Sequence, residues 1–149
     1  RAKRLVLMAP FGLWNDAYPV ADVFAVPFTQ IDDILWQDAE ARARHARPLE
    51  GDLQVKEVAD QMIALAQSLT AVTKFVWPIP DRGLRRRLGR IACPTLVVLG
   101  AGDAVVSPRY ADDFRKGIRN AETLVLPRAG HMVPYEQPQR MLELIGRGG

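Results

Sequence analysis

Two residues of the types that handle protons, an aspartate and a histidine, stand where a protein can use them together. Asp103 closes PTLVVLGAGD and His131 closes ETLVLPRAGH, each just beyond an apolar, β-branched run. A histidine takes and returns a proton near neutral pH, and a carboxylate beside it fixes the tautomer and steadies the imidazolium. Such a pair serves nucleophilic catalysis once a nucleophile is within reach. Taken singly, Asp103 reads as a solvated turn aspartate and His131 as a capping or core histidine. Taken together, in this order and on these two loops, they favour the catalytic reading.

The elements that must carry the pair are legible on either side of it. Leu5 to Met8 is a short apolar run closed by Pro10 and Gly12, as expected of a central strand. Thr95 to Leu99 and Glu122 to Leu126 are the second and third strands. Trp14 to Phe28 has two prolines, Pro19 and Pro27, and no clear period, which suggests irregular structure or a short helix. Asp32 to Arg47 is polar and alanine-rich and predicts one helix, ended by Pro48 and Gly51. Val55 to Val76 repeats apolar residues at three- and four-residue steps and predicts a long helix, stopped by Pro78 and Pro80. Ser107 and Pro108 suit the N-cap and first position of a helix whose charges follow its dipole: Asp112 and Asp113 early, Arg115, Lys116 and Arg119 late. Pro138 opens a last helix with Met141, Leu142, Leu144 and Ile145 as its inward face.

Strand, long excursion, strand, helix, strand, helix is an α/β order, and strands apolar on both faces predict a parallel sheet covered by helices. Ligands of such sheets sit beyond the carboxyl ends of the strands. Asp103, after Gly100-Ala101-Gly102, and His131, after Pro127-Arg128-Ala129-Gly130, both fall there. The organisation is therefore a core strand in residues 1–12, a helical excursion in 13–90 and the rest of the core in 91–149.

The composition excludes several classes. The 149 residues are 48% hydrophobic and 25% charged, within reach of one globular domain. A formal net charge of +3 dictates no nucleic-acid partner. The run Arg82, Arg85, Arg86, Arg87 and Arg90 lacks interleaved aromatics and reads as a solvated helix face. The single cysteine, Cys93, reads as a buried, inert thiol in a reducing, cytoplasmic setting. The run LVLMA after Arg4 is too short for a secretory leader, and no stretch reaches the ~18 apolar residues of a membrane span. His45 lies in a basic polar helix and reads as surface.

GAGDAVVSP and PRAGHMVPYEQP resemble the acid and histidine loops of the α/β-hydrolase fold family, and KRLVLMAPFG resembles the strand before that family's lid. The resemblance implies a partial α/β-hydrolase fold: the last three parallel strands, covering helices and a helical lid insertion. It makes Asp103 the triad acid and His131 the general base, with Met132 and Val133 lining the pocket and no metal or organic cofactor required. Phe11 and Trp14 join them as candidate substrate-binding residues. They belong to a supply of rings, with Phe24, Phe28, Trp36, Phe75 and Trp77, suited to a small apolar ester or acyl substrate.

One part of the family pattern is missing. No G-x-S-x-G elbow and no HG oxyanion loop occurs. Ser68 lies within the long helical pattern and Ser107 fits a helix N-cap, so neither suits a nucleophile. With Arg1 in place of an initiator methionine, the chain reads as the back half of a truncated hydrolase, inactive alone, whose nucleophile, serine or aspartate, lies upstream. Its first strand would present a bare edge, to be met by the missing half, by a complementing chain or by a homo-oligomer. The alternative is a non-catalytic chain or a sheet-completing interaction module.

Overall fold

The computed structural model of the chain describes residues 2–45, 55–79 and 82–146. Three parallel strands, β1 (Leu5–Met8), β2 (Thr95–Gly100) and β3 (Ala121–Leu126), lie side by side in sequence order. The register pairs Leu5 with Thr95 and Thr95 with Ala121. β2 is buried along its whole length and is the axis of the core. Because successive side chains of a strand point to opposite faces, Val97 and Leu99 enter one core and Leu96 and Val98 the other.

The Val97 face is covered by α5 (Tyr110–Gly117), whose Tyr110 and Phe114 are fully buried together with Ile118 just past its end. The opposite face is covered by α6 (Val133–Glu136) and α7 (Pro138–Gly146), through Val133, Met141 and Leu144. In α7 the inward stripe is narrower than expected: Leu142 and Ile145 are exposed. Positions 141 and 144 fall on one side of the helix, and their next neighbours rotate out of it.

Between β1 and β2 runs the long excursion. It holds α1 (Ile31–Leu35), α2 (Ala39–His45), α3 (Val55–Val76) and α4 (Arg85–Leu88). The single helix expected over Asp32 to Arg47 is two. Trp36 to Asp38 leave helical geometry, and Asp38 restarts the chain by accepting hydrogen bonds from the amides of Glu40 and Ala41. The Ala41 amide, with that of Glu40, holds the Asp38 carboxyl below its ordinary range. Pro48, Gly51 and Pro80 lie outside the described residues. The long helix α3 forms as expected, but it keeps Met62, Ile63, Val72 and Phe75 exposed.

Both necks of the excursion are fastened to α5 at one carboxylate. Asp113 accepts from the Tyr18 hydroxyl at 2.6 Å and from Arg85 at 3.0 Å. Burial pushes the Asp113 carboxyl up, but these two donors outweigh it and hold it below the usual range. The same hydrogen bond pushes the Tyr18 phenol up. The arginine run is thus more than a solvated face. Arg85 pairs with Asp113, and Arg82 donates to the Phe75 and Trp77 carbonyls at the end of α3. Cys93 is half-buried rather than buried.

Candidate active site

Asp103 is held by the turn that follows β2. Its amide donates to the Gly100 carbonyl, and its Oδ1 accepts from the amides of Val105 and Val106, both at 2.8 Å. Val105 and Val106 are themselves buried in the core, so the carboxylate is fixed by packed backbone. Its Oδ2 is left to face His131 Nδ1 at 2.9 Å, with the Asp103 side chain 0% exposed and that of His131 20% exposed. A carboxylate accepts and does not donate, so Nδ1 carries the proton and Nε2 is the nitrogen free to act as base. Ser107 takes no part in the pair. Its Oγ accepts from the Arg109 amide, and the helix it was expected to cap begins later, at Tyr110. The Ser68 hydroxyl donates to the Ala64 carbonyl on exposed α3.

His131 is held from three directions. Arg128, with φ 54°, turns the chain in the left-handed region after β3, where a side chain is disfavoured. The Ala129 carbonyl accepts from the Gly102 amide, joining the acid and histidine loops directly. The amides of His131 and Met132 donate to the Leu35 carbonyl at the end of α1, at 2.9 and 3.2 Å. Glycine is required here by close approach. A Cβ on Gly130 would stand 2.8 Å from the Gln37 nitrogen, and one on Gly100 would stand 2.2 Å from the Ala129 carbonyl oxygen.

The other predicted site residues separate. Met132 stays beside His131 and is half-buried. Val133 is fully buried against Leu96 and Val98, so it packs α6 on the sheet and has no surface to offer a ligand. Phe11 lines a cavity of about 330 Å³ with Gly12, Phe75, Val76, Ile79 and Leu84, rimmed by Arg82 and Arg87. Trp14 packs against the core with Phe11, and its Nε1 donates to Asp16. Neither Asp103 nor His131 is in the lining of that cavity.

Sequence reasoning missed Glu136, whose buried carboxylate accepts amides of Gly130, Gln37 and Asp38. The only local signal was a lone acid in the proline-bounded segment VPYEQP. Among the described residues no group of three or more His, Cys, Asp or Glu side chains could hold a metal ion. No described helix is long and apolar enough to cross a membrane.

A sequence profile of the alpha/beta hydrolase family matches residues 1–144. The chain belongs to the alpha/beta hydrolase family. Its three-stranded parallel sheet with flanking helices is part of that fold. It is 34% identical over 62 residues to the mouse (Mus musculus) monoacylglycerol lipase ABHD6, a match covering 42% of this chain and 18% of the lipase. It is 23% identical over 155 residues to the mouse sn-1-specific diacylglycerol lipase ABHD11, covering 96% of this chain and 50% of that one. Among solved structures, the N-acyl homoserine lactone degrading enzyme Est816 aligns with all of this chain and 59% of its own, at a TM-score of 0.51 and 19% identity. That likeness speaks for the fold. The chain spans half or less of the length of the curated relatives it matches.

Proposed function

We propose that this chain supplies the acid, Asp103, and the base, His131, of a Ser-Asp-His triad to an alpha/beta-fold hydrolase acting on an apolar acyl ester. The serine lies outside the 149 residues, and residues 13–90 serve as the lid. The observation that carries this reading is the 2.9 Å contact of His131 Nδ1 with a carboxylate that two amides have already fixed. The names of the two lipases that the chain resembles support an acyl ester as substrate class.

The steps balance as follows. His131 Nε2 takes the serine proton as the serine oxygen bonds to the ester carbonyl carbon. The imidazolium then returns that proton to the leaving alkoxide, and the acyl group remains on serine. Water, deprotonated by the same nitrogen, then bonds to the acyl carbon; the bond to serine breaks, the serine oxygen takes the proton back from the imidazolium, and the acid is released. Asp103 holds the tautomer and balances the imidazolium charge throughout. Met132, Phe11 and Trp14 offer apolar surface for the acyl chain.

The test is covalent labelling by a fluorophosphonate, with turnover of p-nitrophenyl esters of increasing chain length, in the protein encoded by the complete reading frame. Labelling that disappears in His131→Ala, with turnover rising with chain length, is expected. Labelling and turnover undiminished in His131→Ala would sink the reading. A second reading, a sheet-completing module without catalysis, draws support from the second edge of β1, which pairs with no strand among the described residues. It predicts stable binding of a strand-bearing partner and no labelling in the complex.

A further inference from the structure

We infer that Glu136 is a positioning residue for His131: its carboxylate ties the peptide before the histidine to the α1–α2 joint of the excursion, so that the joint sets where the imidazole stands. The inference rests on the reading of Asp103 and His131 as a catalytic pair. Three amides converge on this one side chain. Oε2 accepts from Gly130 at 2.6 Å, and Oε1 accepts from Gln37 at 2.6 Å and from Asp38 at 2.8 Å.

A carboxylate is costly to bury, and Glu136 is 6% exposed at the end of a helix whose Val133 enters the apolar core. Its amide partners repay that cost with charge-assisted hydrogen bonds. Packing alone would be served by an apolar side chain at this position. A side chain with two acceptor oxygens is what can bridge two segments nearly a hundred residues apart in the sequence.

The two halves of the pair are thus fixed by separate means. Asp103 is held within its own turn by Val105 and Val106. His131 is held from outside its loop, by Leu35 through its own amide and by Glu136 through Gly130. The 2.9 Å contact between them requires both supports to agree, and catalytic geometry tolerates little drift. Removing the Glu136 carboxylate frees the Gly130 peptide and the joint together, while every residue of the pair remains.

The experiment compares Glu136→Gln, Glu136→Asp, His131→Ala and Asp113→Asn in the protein encoded by the complete reading frame. It measures the melting temperature, kcat and KM on an acyl ester, and the downfield proton resonance of the His131 Nδ1–H, assigned by its absence in His131→Ala. Glutamine turns one acceptor into a donor facing an amide. Glu136→Gln is expected to lose about 10- to 100-fold in kcat with KM within about threefold, and to lose the downfield resonance, at a temperature where it is folded. Asp113→Asn, which loosens the necks of the excursion elsewhere, is expected to lower the melting temperature with kcat and the resonance unchanged.

A folded Glu136→Gln with kcat within about twofold of the unsubstituted protein and an intact resonance overturns the inference. Should glutamine prevent folding, Glu136→Asp, charged but one methylene shorter, carries the same expectations. Failure of both to fold makes Glu136 a folding residue and also overturns it. Turnover surviving in His131→Ala would bring down the catalytic reading and this inference with it. An inactive His131→Ala beside a fully active Glu136→Gln would remove the inference alone.

Discussion

Asp103 divides its carboxylate between the chain and the histidine, and a single-atom change separates the two duties. In Asp103→Asn the remaining Oδ1 can still accept from Val105 and Val106, so the turn keeps its shape, while the amide nitrogen faces His131 as a donor. The imidazole must then offer Nδ1 as an acceptor, with the proton moved to Nε2, where it cannot act as a base. Turnover of the complete enzyme is expected to fall by about 10³- to 10⁴-fold with an unchanged melting curve. Near-normal turnover would count against Asp103 as the acid. Asp113 gives a prediction of a different kind, in stability and pH. Its folded pKa lies below the unfolded value of 3.8, so its contribution is complete above about pH 4 and is lost as pH falls through the folded value. Asp113→Asn should therefore cost about 1–3 kcal/mol at neutral pH, and denaturant melts at descending pH should show that gap closing below pH 4. A gap that does not vary with pH would mean that the carboxylate charge is irrelevant there.

At the scale of elements, what could be read from sequence was what local chemistry dictates. β1, β2 and β3 declare themselves as short, largely apolar runs that give way to glycine or proline, and α3 declares itself by period. The Asp103 and His131 loops followed from their places after strands. The break at Trp36 to Asp38 was not read: Asp38 caps the next helix locally, but the acceptor of the Gln37 and Asp38 amides is Glu136, far along the chain. Arg85 looked solvated for the same reason, its partner Asp113 being distant in sequence. Val133 was misplaced because one residue of rotation along α6 separates a pocket wall from the core. Gly100 and Gly130 are held to glycine by neighbouring backbone. Packing between α4 and α5 offers a test of the core. Leu88 is 2% exposed in the Val97-side cluster, and Leu88→Ala should lower unfolding free energy by about 2–5 kcal/mol in a denaturant melt. A loss below 1 kcal/mol would mean that the site collapses around the missing atoms.

The whole molecule presents an apolar strand, β1, with one edge bonded to β2 and the other paired with no strand among the described residues. Such an edge templates the addition of another strand. The 149-residue chain alone is expected to elute in size-exclusion chromatography as dimers or larger species, and to become monodisperse when a strand that pairs with this edge is supplied. A clean monomer with a cooperative melt would refute this. Asp113 has a consequence at the same scale. Tyr18 and Arg85 bracket almost the whole excursion, and both end on one oxygen pair of α5, a buckle that gathers its two necks. Val20 and Ile79 are buried in the core and the Ala21 amide donates to the Val105 carbonyl, whereas α3 keeps Met62, Ile63, Val72 and Phe75 exposed, so a change in its length enters stability through the slow logarithm of loop closure. α3 can thus be lengthened, shortened or exchanged as a cassette while the Asp103–His131 pair stays as it is, which, on the reading proposed above, would let one core be refitted for new substrates by trading its roof.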